Sequence, residues 1–192
     1  MCIRDRYYIS AVGALGEGSS NSLSKDTDLA LAIGTKLADF TTGSWANFEN
    51  PNFKLVSVNT ARYDTTKHLA TPVISDAKVG LQKISEALGD WKAPDDWYKR
   101  AIKEKNEWDA YVEKQSGPTN QEEPSYAHAV GAVYRNSDPS DIVVTAAGGL
   151  VGEVVQVWKP KQLNTFETEW GFSCMGYEIS GALGIKMAKP DQ

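Results

Sequence analysis

Asp28-Leu-Ala-Leu-Ala-Ile-Gly34 is an apolar run closed by glycine, and it decides how the first half of the chain reads. A short apolar run ended by a turn residue predicts a strand buried in a parallel sheet. Moving outward, Phe53-Lys-Leu-Val-Ser-Val-Asn59 gives a second strand, richer in β-branched residues, and Thr71-Pro-Val-Ile-Ser75 a short third. Asp76 then predicts an N-cap for a helix over 77–88, where Val79, Leu81, Ile84 and Leu88 recur at helical spacing. Strand runs alternating with helical patterns predict an α/β fold, a doubly wound, Rossmann-like parallel sheet over residues 7–92 with helices on both faces.

From Ala93 the pattern changes. Ala93-Pro-Asp-Asp-Trp97 opens a charged helix to about Lys114, with Trp97, Ala101, Trp108, Tyr111 and Val112 near one side. Ser116-Gly-Pro-Thr-Asn-Gln-Glu-Glu-Pro124 reads as a polar linker, so residues 93–122 form a helix and linker before a second α/β unit over 123–192. In that unit Ser125–Tyr134 predicts a helix and Asp141-Ile-Val-Val-Thr145 a buried strand ending in Ala146-Ala-Gly-Gly149. A loop around Glu167–Cys174 precedes a helix over Met175–Met187. Met1 to Arg6 (MCIRDR) resembles a translated sequencing adapter and is set aside as non-native; the chain is expected to be a fragment whose second α/β domain is incomplete.

Composition narrows the function classes. With 20 Lys and Arg against 25 Asp and Glu, a net charge of −5 and no basic stripe, nucleic acid and anionic membranes are not expected partners. No apolar run approaches the length of a membrane span. Two distant cysteines, Cys2 and Cys174, suggest neither a disulfide framework nor a zinc site, and predict a reducing cytoplasm. His68 and His128 stand without neighbouring carboxylates at metal spacing, so no metal ligand and no catalytic residue is assigned. Gly13-Ala-Leu-Gly16-Glu-Gly18-Ser-Ser is glycine-rich, but the strand–loop–helix order of a dinucleotide fingerprint is missing, and it reads as a turn with helix-capping serines.

The strongest chemical signal is a pair of segments. Val143-Val-Thr-Ala-Ala-Gly148-Gly149-Leu150 is a strand ending in two glycines, and ligands of α/β sheets bind at the carboxyl ends of strands. Glycine there exposes backbone N–H groups to an anion. Trp170-Gly-Phe-Ser173-Cys174-Met175-Gly176-Tyr177 leads into a helix whose N-terminal dipole also favours an anion. Gly176, Ser180 and Gly184 then form a small-residue stripe that permits close approach of another backbone.

These residues resemble a known family. The stretch Asp28–Leu88, with Thr35-Lys-Leu37 and Val73-Ile-Ser-Asp76-Ala, is similar to the central domain of thiamine diphosphate enzymes of the acetolactate synthase type. Asp39-Phe-Thr-Thr-Gly-Ser-Trp45, Val144-Thr-Ala-Ala-Gly-Gly-Leu150 and Ser173-Cys-Met-Gly-Tyr177 narrow the resemblance to the ring-opening trihydroxycyclohexane-dione hydrolases of inositol catabolism. The resemblance implies thiamine diphosphate and Mg²⁺ as cofactors of the intact enzyme, a small cyclic diketone as substrate, and a homodimer or homotetramer. It also implies roles for particular residues. Gly148, Gly149 and Leu150 fall where backbone meets the diphosphate, and Ser173 where a carbonyl meets the aminopyrimidine. Met175, followed by Gly176, falls where an apolar side chain props the cofactor in its bent form. Acetolactate synthases carry Gln-His where this chain has Leu150-Val151, so diphosphate contacts here are expected from the main chain alone.

The activating glutamate and the Mg²⁺-binding Gly-Asp-Gly segment of the family are absent from these residues, so the chain by itself is expected to be inactive. The implied chemistry is covalent catalysis by the cofactor, C–C cleavage with the thiazolium as electron sink, then release by water. Two alternatives stay open: a carboligase or decarboxylase on the same cofactor, and a nucleotide-binding module without catalysis.

Overall fold

The computed structural model describes residues 8–192, so the expectation about residues 1–6 lies outside the described residues. Two compact units form, Ile9–Lys105 and Asn106–Gln192, the latter grouping with Tyr8.

The first unit contains α1 (Gly18–Asp26), β1 (Leu29–Ile33), α2 (Asp39–Thr42), β2 (Lys54–Asn59), α3 (Arg62–Thr66), β3 (Thr71–Ile74), α4 (Ala77–Leu88) and the start of α5 (Asp95–Ser116). The strands pair in parallel in the order β1-β2-β3, with Leu31 beside Val56 and Val58 beside Val73. Parallel neighbours need crossovers, and consecutive crossovers build the half-sheet from which Rossmann-like folds are made. The central strand carries the core: Leu55, Ser57 and Val58 are buried.

Two details depart from the sequence reading. Leu29, Leu31 and Ile33 of β1 are exposed, while Ala32 is buried. An edge strand shows its alternate residues to opposite faces, and here the large ones lie on the uncovered face. The helix over 77–88 forms as expected, and Asp76 accepts from the N–H groups of Lys78 (2.9 Å) and Val79 (3.2 Å). Yet Val79, Leu81 and Leu88 are exposed. Gly80 is the buried residue, where a Cβ would lie 2.7 Å from Val58 Cγ1, so the helix approaches the sheet over its glycine rather than its apolar stripe.

The glycine-rich stretch at 13–18 is a turn. Gly13 has φ +111°. Its N–H donates to Asn21 Oδ1 (2.8 Å) and its carbonyl accepts from Asn21 Nδ2 (2.9 Å), while the N–H groups of Ala14, Gly16 and Glu17 bond to Phe40, Gly13 and Ala11 carbonyls. With these donors engaged inside the chain, the loop does not present them to an anion. The serines do not cap α1: its N-cap is Glu17, and Ser20 Oγ donates to the Ala11 and Glu17 carbonyls.

The second unit holds the end of α5, then α6 (Tyr126–Asn136), β4 (Val143–Thr145), α7 (Leu150–Val157), β5 (Phe166–Thr168) and α8 (Tyr177–Ala188). β4 and β5 pair in parallel, Val144 beside Glu167, with α7 as the crossover. The core joins Val112, Ala127, Val130, Val154, Val157 and Trp158, and Trp108, Tyr134, Val143 and Phe166 pack against it. α6 is fixed at its start by a capping box in which Ser125 and His128 bond reciprocally. It crosses α5 closely at Gly131, where a Cβ would fall 2.1 Å from the Ser116 carbonyl oxygen, and Arg135 Nη1 donates to that oxygen.

Candidate functional site

The two sequence-predicted segments meet at the carboxyl ends of β4 and β5. After Thr145 the chain turns through Ala146, Ala147 and Gly148 (φ +91°) into α7, which begins at Leu150 with Gly149 as N-cap. Thr145 and Ala146 are buried, whereas Gly148, Gly149 and Leu150 are exposed. A Cβ at Gly148 would meet nothing within 4 Å, and one at Gly149 only Tyr126 Cε2 at 3.9 Å. The backbone therefore faces open space, and the first N–H groups of α7 have no intrahelical partner. Val151, the next residue, is buried in the unit.

The second segment starts at β5. Glu169 N–H donates to the Thr145 carbonyl (3.2 Å), extending the strand pair. Its carboxylate turns back to accept from the N–H groups of Phe172 (2.8 Å) and Cys174 (2.9 Å). These bonds hold the Glu169 carboxyl below the ordinary glutamate range. Desolvation, followed by the adjacent Glu169 charge, raises the Cys174 thiol, which is free and exposed. Ser173 stands at φ +51° and Gly176 at φ +95°, so the loop is tightly coiled before α8. α8 begins at Tyr177, two residues after the predicted start, because Gly176 in the left-handed region serves as its N-cap. Met175 consequently projects from the loop and is 84% exposed.

Three carboxylates organise this end of the unit, and sequence reading missed all of them. Glu178 Oε1 accepts from the N–H groups of Ala146 and Ala147, each at 3.2 Å, and Oε2 accepts from Gly176 N–H at 3.0 Å. Backbone hydrogen bonds, its own first, then those of Ala147, Gly176 and Ala146, lower its carboxyl. Glu167 Oε1 accepts from the Tyr177 hydroxyl at 3.2 Å, which raises the Tyr177 phenol. Glu169 forms the loop clasp just described. The available signal was an acidic residue in the first turn of a helix that follows a glycine turn.

The remaining candidates sit elsewhere. His128 belongs to the α6 capping box, and exposed His68 places Nε2 3.2 Å from the Leu37 carbonyl with its ring 4.3 Å from that of Trp45. Of the stripe on α8, Ser180 is exposed and a Cβ at Gly184 would meet nothing within 4 Å, so no backbone approaches there among the described residues. Among the described residues no three His, Cys, Asp or Glu side chains group as a metal site, and no helix is long and apolar enough to cross a membrane.

Comparisons with known proteins give the family. Residues 3–84 match the thiamine pyrophosphate enzyme central domain, and residues 146–192 the thiamine pyrophosphate enzyme C-terminal TPP binding domain. The chain is 35% identical to a 3D-(3,5/4)-trihydroxycyclohexane-1,2-dione hydrolase of Clostridium tetani, over 96% of its own length and 32% of the relative's. Proteins of the same name from Geobacillus thermodenitrificans and Lacticaseibacillus casei are each 32% identical, again over 96% of this chain and 32% of the relative. The chain thus spans about a third of the length of these relatives. By these two matches, the chain belongs to the thiamine pyrophosphate enzyme family.

Proposed function

We propose that the chain supplies the central domain and the cofactor-diphosphate segment of a thiamine diphosphate-dependent hydrolase that opens a cyclic trihydroxy-diketone in inositol catabolism. The observation that carries this reading is that the segments holding Gly148–Leu150 and Ser173–Gly176 follow two paired parallel strands and are tied through Glu178, in a chain whose relatives bear that hydrolase name. The residues fit the cofactor: open space lies before Gly148 and Gly149, and the adjoining helix start directs unpaired N–H groups outward. When bound, thiamine diphosphate supplies a nucleophilic carbon and an electron sink for C–C cleavage.

The chain's own residues hold and shape. Gly148, Gly149 and Leu150 donate main-chain N–H groups to the diphosphate, as Leu150 has no polar side chain to offer. Ser173 presents a carbonyl to the aminopyrimidine, and the exposed Met175 side chain forms an apolar support under the bent cofactor. Magnesium is proposed with the diphosphate, on ligands outside this chain, and no step is drawn through it. The free, exposed Cys174 suits a reducing cytoplasm, where the intact enzyme is proposed to work as a homodimer or homotetramer.

Product analysis tests the reading. The intact protein, supplied with thiamine diphosphate, Mg²⁺ and the trihydroxy-diketone, is expected to release the ring-opened deoxy acid. Formation of acetolactate or an aldehyde from pyruvate, with no ring opening, would move the protein to the carboligases or decarboxylases.

A further inference from the structure

The two segments that would hold the cofactor, Gly148–Leu150 and Ser173–Gly176, lie apart in sequence, and each includes irregular backbone. Each contains left-handed backbone, at Gly148 in one and at Ser173 and Gly176 in the other. Irregular backbone keeps a fixed geometry only when something over-determines it. Glu178 is the side chain that does so across the gap. Its two carboxylate oxygens divide between the segments, Oε1 to Ala146 and Ala147 N–H, Oε2 to Gly176 N–H. A glutamate that merely complemented the α8 dipole would bond to its own helix start and leave the β4 turn alone. Here it reaches a turn more than thirty positions earlier.

We infer that Glu178 is a positioning residue that sets the diphosphate-binding turn of β4 against the Ser173–Gly176 loop. This rests on the cofactor reading above. The nearby carboxylates do not duplicate the tie: Glu169 clasps its own loop at Phe172 and Cys174, and Glu167 holds the Tyr177 hydroxyl. Charge-assisted bonds to backbone N–H groups are about twice as strong as neutral ones, and here those of Ala146, Ala147 and Gly176 converge on a carboxylate that its own N–H also faces. Removing the carboxylate frees the β4 turn and the loop together, so the diphosphate N–H groups and the aminopyrimidine-facing carbonyl lose their common frame. Glu178 touches neither cofactor nor substrate in this account.

The test uses the intact protein and the variants Glu178→Ala and Glu178→Gln. Without cofactor, site-resolved amide exchange at Ala146, Ala147 and Gly176 is expected to quicken about tenfold in Glu178→Ala, on the scale of lost charge-assisted bonds. Glu178→Gln keeps an acceptor oxygen for the β4 turn but turns an amide N–H toward Gly176, so it should protect the first two sites and not the third. Calorimetry with thiamine diphosphate and Mg²⁺ should show affinity weakened about tenfold in Glu178→Ala, with kcat at saturating cofactor within about threefold of the parent, as for a lost binding frame. Tighter cofactor binding in Glu178→Ala would mean that the carboxylate competes with the diphosphate for these N–H groups, and would overturn the inference. So would unchanged affinity, or quickened exchange at Gly176 alone. If the unsubstituted protein binds no thiamine diphosphate, the functional reading fails and the positioning role with it, and the exchange data then report Glu178 as a fold contact only.

Discussion

α7 and α8 lie in the same unit and both are apolar, yet they behave as opposites. α7 buries Val151, Val154, Val155 and Val157, whereas α8 buries nothing and shows Ile179, Leu183 and Met187 to solvent. The difference separates what folds this unit from what the unit presents. α7 is a crossover helix closed over by α6, and its side chains complete the core around Trp158. α8 is tethered instead by polar bonds at its first turn, chiefly those of Glu178, and by its contact with β4. Stability therefore resides in the α5–α6–α7 packing, and the turn after β4 and the loop before α8 are tied to its edge by hydrogen bonds.

Substitution on the two sides should break this symmetry most visibly. Trp158→Ala, in the core, is expected to cost about 3–5 kcal/mol in urea unfolding of this chain. Leu183→Ala, on exposed α8, should stay within about 0.5 kcal/mol of the parent. Similar losses for both would mean that α8 is packed, contrary to the account. Next in size, Gly131→Ala drives a methyl toward the Ser116 carbonyl where α5 and α6 cross, for about 1–3 kcal/mol lost, read as an earlier urea midpoint.

Met175 sharpens the comparison from the other side. Because its side chain is exposed, Met175→Ala should leave the unfolding midpoint within the error of a surface change, about 0.5 kcal/mol. On the role proposed for Met175, kcat of the intact protein should fall on the order of 10²-fold, because the reacting atoms would be misplaced. Normal turnover at saturating cofactor would remove the supporting role from Met175.

Much of the core side was legible in the sequence, and less of the site. The second and third strands, the helix capped by Asp76 and the helix beginning after Ser125 follow from local periodicity and capping, which act over a few residues. α7 was not legible, because Leu150-Val-Gly-Glu-Val-Val-Gln-Val157 is β-branched and has a strand-like composition; burial against α6 overrides that preference. β5, only three residues long, offers no alternation to read. The Gly148-Gly149 pair was legible as an open turn after a strand, but the Glu178 tie was not, since it depends on residues more than thirty positions apart.

The smallest effect concerns pH. Glu178 and Glu169 have folded values below the ordinary glutamate range, so their bonds are fully formed above about pH 4.3, the unfolded value, and are lost as pH falls through the lowered folded values. Amide shifts of Ala146, Ala147 and Gly176 should accordingly move together, with a midpoint below that value, while core amides of α6 and α7 stay still. A midpoint near neutrality would assign the change to another group.

The central proposal is that two segments, Gly148–Leu150 and Ser173–Gly176, jointly face thiamine diphosphate. Hydrogen exchange of the intact protein with and without thiamine diphosphate and Mg²⁺ tests it most directly. The account predicts slowed exchange in both segments on cofactor binding, with α6 and the body of α7 unchanged. Cofactor binding that protects neither segment, or only one of them, would contradict it.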